Sequence, residues 1–267
     1  MPLFEPLVLR ELTLKNRIFV SPMCQYAAKD GLADAWHLVH LGSRAVGGAA
    51  LVMVEATAVA EDGRISPGDL GLWNDDQAQA LAPIAAFVSD QGAVPAIQLA
   101  HAGRKGSTAR GWDKNPLPAS EAWTPVSPTS EPFASDYPTP RALSIAEIEA
   151  IPAQFAAAAH RARAAGFQVV EIHAAHGYLL HQFLSPAVNT RTDDYGGSFE
   201  NRTRLLRATI AAVRAAWPAH FPVFLRISAT DWLEFEEPAC PSWTVEQSVQ
   251  VARIAKALGV DFIDCSS

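Results

Sequence analysis

The stretch Gly166-Phe167-Gln168-Val169-Val170-Glu171-Ile172-His173-Ala174-Ala175-His176-Gly177-Tyr178 decides how the whole chain is read. Its apolar run, 167–172, has the length and composition of a buried strand. Polarity is concentrated just beyond it, in His173, His176 and Tyr178, and continues through His181 to the Gly-rich tail Arg191-Thr-Asp193-Asp-Tyr195-Gly196-Gly197-Ser-Phe-Glu200-Asn201-Arg202. A buried strand has little use for such side chains at its end unless they build a site. Two imidazoles and a phenol this close together can hold an oxygen atom and deliver a proton to its neighbour. The pattern points to an enzyme.

Outward from this stretch, strand and helix patterns alternate. Short apolar runs at 18–20, 50–54, 94–99, 169–172, 223–227 and 262–265 read as parallel buried strands. Longer amphipathic stretches at 36–46, 76–90, 145–165, 199–217 and 245–258 read as helices. Ser144-x-x-Glu147 and Thr244-x-x-Gln247 are capping-box patterns at two helix starts. Gly92, Gly166 and Gly259 each sit between a helix pattern and a strand pattern, where a left-handed helix end belongs. A strict βαβα order predicts a parallel sheet covered by helices.

Chemistry gathers at one end of these strands. Beyond their C-terminal ends stand Ser21-Pro22-Met23-Cys24-Gln25-Tyr26, Glu55-Ala56-Thr57-Ala58, Gln98-Leu99-Ala100-His101, the His173/His176 pair and Arg226-Ile227-Ser228. The N-terminal ends carry Gly, Ala, Val and Pro. A β/α barrel places its site on that face. An open doubly wound sheet would do the same, but no Gly-x-Gly-x-x-Gly follows the first strand.

Composition narrows the function class. The chain has 267 residues, 49% hydrophobic and 18% charged, enough for the core of one α/β barrel. Its net charge of −7 argues against nucleic acid and anionic membrane surfaces. No apolar run is long enough to span a bilayer, and the start lacks the basic residues of a signal peptide, so a cytoplasmic location is expected. Cys24, Cys240 and Cys265 are far apart and odd in number, which is not a disulfide framework.

Taken residue by residue, each candidate also has a bland reading. His173 and His176 could be satisfied structural histidines, or metal ligands with His181 as a third, although no carboxylate lies inside the cluster. Tyr178 and Tyr26 could simply pack, Cys24 could be a small buried hydrophobe, and Arg226 could serve a structural ion pair.

Several motifs together carry a resemblance. Lys15-Asn16-Arg17, Ser21 to Tyr26, Glu55-Ala56-Thr57-Ala58-Val59, Gly63-Arg64-Ile65, His101-Ala-Gly-Arg104-Lys105 and the segment 173–202 resemble the old yellow enzymes, the NADH:flavin oxidoreductase and ene-reductase family. The pairs Cys24/Tyr26 and His173/His176 resemble its bacterial xenobiotic-reductase-like branch. The resemblance runs the length of the chain and implies a TIM (β/α)8 barrel of the FMN-linked type, of which about six of eight βα units are present before Ser267. The whole of 1–267 is expected to be one incomplete barrel domain; the Leu7–Leu14 alternation reads as a hairpin cap over 1–16, and the polar, Pro-rich segment 101–143, too long for a plain connection, as a lid-like insertion. The apparent C-terminal truncation removes the units that usually hold the cofactor phosphate in such barrels.

The activity implied is FMN-dependent oxidation of NADPH or NADH, with reduction of the activated C=C bond of an unsaturated carbonyl or nitro compound. By the resemblance, His173 and His176 hold the substrate oxygen and Tyr178 protonates the substrate. Tyr26 contacts the substrate, and Ser21, Pro22, Met23, Cys24, Ala58, Gln98 and Arg226 contact FMN. No metal is implied, a homo-oligomer is possible, and Trp112, Trp123, Phe133 or Tyr137 of the lid is expected near substrate. Two alternatives remain: an inactive barrel fragment without FMN, and the N-terminal barrel of a larger dienoyl-CoA-reductase-like flavoprotein. The segment 189–202 reads as shaping the loop and the next helix start, with Asp193 and Arg202 as partners in a structural network, and the acidic stretch 232–241 has no functional reading.

Overall fold

A computed structural model describes residues 2–233, 236 and 240–266; most of the acidic stretch at 234–239 lies outside the described residues. The chain opens with a hairpin of β1 (Leu7–Leu9) and β2 (Leu12–Leu14), followed by β3 (Phe19–Val20), α1 (Ala35–Val46), β4 (Leu51–Ala58), α2 (Asp75–Asp90) and β5 (Val94–Ala100). Two short strands, β6 (Val126–Ser127) and β7 (Arg141–Ala142), interrupt the long loop after β5. Then come α3 (Ile145–Ala164), β8 (Val169–Ala174), α4 (Leu179–Leu184), α5 (Phe199–Ala216), β9 (Val223–Ser228), α6 (Val245–Ala257) and β10 (Phe262–Ser266).

Six of these strands pair in parallel in the order β10-β9-β8-β5-β4-β3. Alternation divides their side chains between two cores. Val170, Ile172, Leu225 and Ile227 point outward into the layer shared with the helices, among Phe155, Leu206, Ile210 and Trp243. Leu51, Met53, Ala96, Val169 and Phe224 point inward with Leu14 of the hairpin, and Leu7, Leu9 and Leu12 pack against them. A one-residue slip would exchange the two sets, so the register is tightly specified.

The sheet curls until its outer strands meet. The Phe19 ring on β3 lies 5.7 Å from Phe262 on β10 and 6.3 Å from Phe224 on β9. Strands at opposite ends of the order can touch in this way only if the sheet wraps round on itself as a barrel wall does. The architecture is therefore a β/α arrangement of the TIM-barrel type.

Local signals behave as the sequence implies, with two exceptions. Gly92, Gly166 and Gly259 adopt φ of 68°, 98° and 91°, as helix-ending glycines do. Ser144 and Glu147 form the reciprocal capping box. At Thr244 only half of the predicted box forms: its hydroxyl accepts the Gln247 N–H, while the Gln247 carbonyl oxygen is buried without a partner. The other exception is α4, whose six residues are all buried and too few to show a helical period.

Candidate active site

The expected groups converge at the C-terminal rim. His173 ends the inward row of β8, and the chain then turns sharply. His176 (φ 59°) and Gly177 (φ 69°) both take the left-handed conformation before α4 starts. That conformation costs a non-glycine residue about 1 kcal/mol or more, so surrounding bonds must hold it. They do. The His176 N–H donates to Ser228 Oγ at 2.9 Å, and its carbonyl accepts Lys105 Nζ at 2.8 Å. The Gly177 N–H donates to His181 Nδ1 and its carbonyl accepts Gln182 Nε2, at 2.8 and 2.7 Å.

This turn brings three rings together nearly edge to face. The His173 ring centroid is 5.0 Å from those of both His176 and Tyr178, at 86° and 82°. His173 Nδ1 accepts the Ala175 N–H, so the neutral ring carries its proton on Nε2. His176 Nε2 lies 2.7 Å from Ser266 Oγ; when that hydroxyl donates, Nδ1 bears the proton and is a donor for a ligand. Burial and the nearby Arg226 push His176 down to about 4, and burial lowers His173 well below the usual imidazole range. Both rings are therefore neutral at pH 7. Burial likewise raises the Tyr178 phenol, keeping it protonated.

The first-strand turn forms the opposite wall. Tyr26 is also left-handed, with φ 50°, and its carbonyl is packed so closely on Gly68 that a Cβ there would lie 2.5 Å away. The buried Glu55 carboxyl accepts from the backbone N–H groups of Gln25 and Tyr26. Cys24 and Tyr26 share a hydrogen bond, and burial pushes the Cys24 thiol up to about 12, so it remains a thiol. Ser21 and Met23 are exposed, Pro22 and Cys24 half-buried. Ala58 reaches the inner face only because β4 carries a bulge between Val54 and Ala56, which changes the parity of the strand and pairs Ala56 with Gln98.

Below the rim, Gln98 is buried and Arg226 nearly so. Arg226 Nε stands 3.3 Å from Asp264 Oδ2 but makes no aligned hydrogen bond. A guanidinium paired with one carboxylate but with its Nε–H unbonded, and a buried amide, beneath an open rim suit an electron-rich planar group carrying both donors and acceptors, as an isoalloxazine does. The inner face also borders a cavity of about 390 Å³ lined by Ser21, Pro22, Glu171 and Asp264.

Other expectations resolve by contact. His181 accepts the Gly177 N–H at Nδ1 and faces Asp231, 3.1 Å from its Nε2, so both ring nitrogens are engaged away from the histidine pair. Among the described residues no three His, Cys, Asp or Glu converge to hold a metal. Of the lid aromatics, Trp112 packs against Tyr26 at 5.4 Å and Phe133 sits beneath Lys105 at 4.2 Å. Trp123 instead donates to the Asp62 carbonyl. Asp193 pairs with Arg191, whereas Arg202 binds the carbonyls of Gly197 and Leu184. Lys105, Ser228 and Ser266 hold His176, a role the sequence did not show, although Lys105 and Ser228 both stand in motifs quoted above.

The sequence pattern of the NADH:flavin oxidoreductase / NADH oxidase family matches residues 2–267. The chain belongs to this family. It is 48% identical to an NADH:flavin oxidoreductase of Gibberella zeae, over 99% of this chain and 66% of that protein. It is 46% identical to an NADPH dehydrogenase of Bacillus cytotoxicus, over 99% of this chain and 71% of that one. The crystal structure of an old yellow enzyme homologue from Zymomonas mobilis superposes with a TM-score of 0.84 at 30% identity, covering 99% of this chain and 73% of that one. The chain thus spans about two thirds to three quarters of the length of these relatives. FMN and NAD(P)H are the cofactors of the family, and its old yellow enzyme members have TIM-barrel folds. Among the described residues, no helix is long and apolar enough to cross a membrane.

Proposed function

We propose that the chain is an FMN-dependent NAD(P)H oxidoreductase that reduces the activated C=C bond of α,β-unsaturated carbonyl or nitro compounds. The observation that carries this reading is the clustering of the neutral His173 and His176 rings with the protonated Tyr178 phenol above Gln98 and Arg226. FMN, when bound, supplies the two-electron chemistry between the nicotinamide donor and the unsaturated acceptor.

The protein's own groups supply the rest. His173 Nε2–H and His176 Nδ1–H donate to the acceptor's carbonyl or nitro oxygen, where negative charge develops. Each such donor is worth about 10²–10³ in rate. Neutral donors suit this role, because a protonated pair would repel each other in so dry a site. Tyr178 gives its proton to the carbon next to the carbonyl, a far stronger base than phenolate. Arg226 offsets negative charge on the reduced cofactor, and Gln98 binds its pyrimidine edge. Ser21, Pro22, Met23, Cys24 and Ala58 line its surroundings, and Tyr26 borders the acceptor.

The test is the visible spectrum of the purified chain with FMN under argon. Bound flavin that bleaches with NADPH and recovers on adding 2-cyclohexenone is the expected result. A folded protein that leaves FMN free, or a flavin that NADPH cannot bleach, overturns the reading.

A further inference from the structure

Four inward side chains form a polar row across four neighbouring strands: Gln98 on β5, Glu171 on β8, Arg226 on β9 and Asp264 on β10. The registers Gln98↔Glu171 and Arg226↔Asp264 put them in two adjacent pairs. Beneath this row the inner face is apolar, with Phe19, Met53, Ala96, Val169, Phe224 and Phe262. The row is stepped between β8 and β9: His173, two residues along from Glu171 on the same face, is level with Arg226, whereas Glu171 is level with Phe224.

Glu171 is the member without an evident use. It is 1% exposed, in a strand whose other inward residue below the rim is Val169. A buried carboxyl is costly, and a valine or leucine would fill the position without that cost. Its Oε1 accepts a hydrogen bond from Gln98 Nε2 at 2.7 Å. That bond has a directional consequence. A primary amide presents two donors on nitrogen and an acceptor on oxygen, and the two ends are nearly equal in shape. Once the nitrogen is tied to Glu171, the Gln98 carbonyl oxygen must face elsewhere.

We infer that Glu171 is a positioning residue that fixes which end of the Gln98 amide meets the cofactor, presenting its carbonyl oxygen to the one N–H of the flavin's pyrimidine edge. This rests on the proposed role of Gln98 as an FMN contact. Glu171 itself need not touch FMN; it acts through Gln98. An apolar residue at 171 leaves the amide free to turn over, and half of its orientations then set like against like.

The test is a double-mutant cycle on FMN affinity, read by quenching of flavin fluorescence in the wild-type chain, Glu171→Leu, Gln98→Leu and the double variant. Glu171→Leu is expected to weaken FMN binding about tenfold in the wild-type background and less than about twofold in the Gln98→Leu background, as for groups acting as one unit. Glu171→Gln keeps the shape of the residue but can donate to the Gln98 amide as well as accept from it, so it no longer selects one end and is expected to bind FMN about threefold or more weaker than wild type. It also covers the case in which Glu171→Leu does not fold. Multiplying effects of the two leucine substitutions, or a Glu171→Gln variant that binds FMN as tightly as wild type, would reduce Glu171 to a structural residue and overturn the inference. Wild-type chain that does not bind FMN overturns the functional reading, and this inference with it.

Discussion

The two turns that wall the site contain the same strained element and hold it by different means. His176 and Tyr26 each sit in the left-handed region, at φ 59° and 50°. The His176 turn is tied by side chains from the loop after β5, from α4, from β9 and from β10: Lys105, His181, Gln182, Ser228 and Ser266. The Tyr26 turn follows a two-residue edge strand and rests on a buried carboxyl, Glu55, and on the close approach of Gly68. The difference teaches that central strands can lend neighbours to an active-site turn, whereas an edge strand must borrow support from loops and from a bulge in the adjacent strand.

The strongest way to break the first turn is through His181. His181→Leu removes the acceptor of the Gly177 N–H and the ring beside Asp231, which keeps the Ser185 hydroxyl and the Trp243 N–H. The expected loss is about 2–3 kcal/mol, the cost of a buried N–H left without its acceptor, read as a drop in the urea midpoint at unchanged slope. A loss within 1 kcal/mol would mean that the turn holds without its helix α4 contact. Tyr178→Phe tests the chemistry of the same turn with little effect on stability. Its reoxidation by 2-cyclohexenone is expected to slow by about 10². An unchanged rate would assign the proton to water.

For the second turn, Gly68→Ala drives a methyl group into the Tyr26 carbonyl and is expected to cost about 1–3 kcal/mol. The same substitution at Gly111, where a Cβ meets nothing within 4 Å, is expected to fall within about 0.5 kcal/mol. The smallest effects separate the turns by pH. His176 is lowered from 6.5 to about 4, so between those values the folded chain binds fewer protons than the unfolded one, and acid weakens the first turn. Glu55 is raised from 4.5 to about 8, chiefly by burial, so across that window the folded chain binds more protons, and rising pH weakens the second. His176→Gln should flatten the acid side of a stability–pH curve and Glu55→Gln the alkaline side. Glu171, also raised to about 8, adds to the alkaline side and sets how much remains in Glu55→Gln.

Much of this was legible in the residues. Six apolar runs bounded by turn signals became the six parallel strands, because a strand buried on both faces needs little beyond length and branching. The rim chemistry was legible because polar groups at such strand ends have no packing reason to be there. Three things were not. The β4 bulge, which alone turns Ala58 inward, depends on pairing with β5 and leaves no mark in the local pattern. The left-handed His176 and Tyr26 are imposed by contacts from distant strands and loops. Thr244-x-x-Gln247 matched the capping-box spacing, yet Gln247 sits where its carbonyl oxygen finds no partner. Glu171 was visible as a polar residue inside an apolar run, but what it touches required the register of β5 against β8.

The central claim is that His173 and His176 form one oxygen-binding pair. It is tested most directly by chemically reducing the FMN-loaded protein and comparing two reoxidation rates by stopped flow, one with 2-cyclohexenone and one with dioxygen. In His173→Ala and in His176→Ala the ratio of enone rate to dioxygen rate should fall by about 10²–10³ from wild type. A ratio that stays within about threefold of wild type in both variants would contradict the claim and leave the two rings as structural histidines.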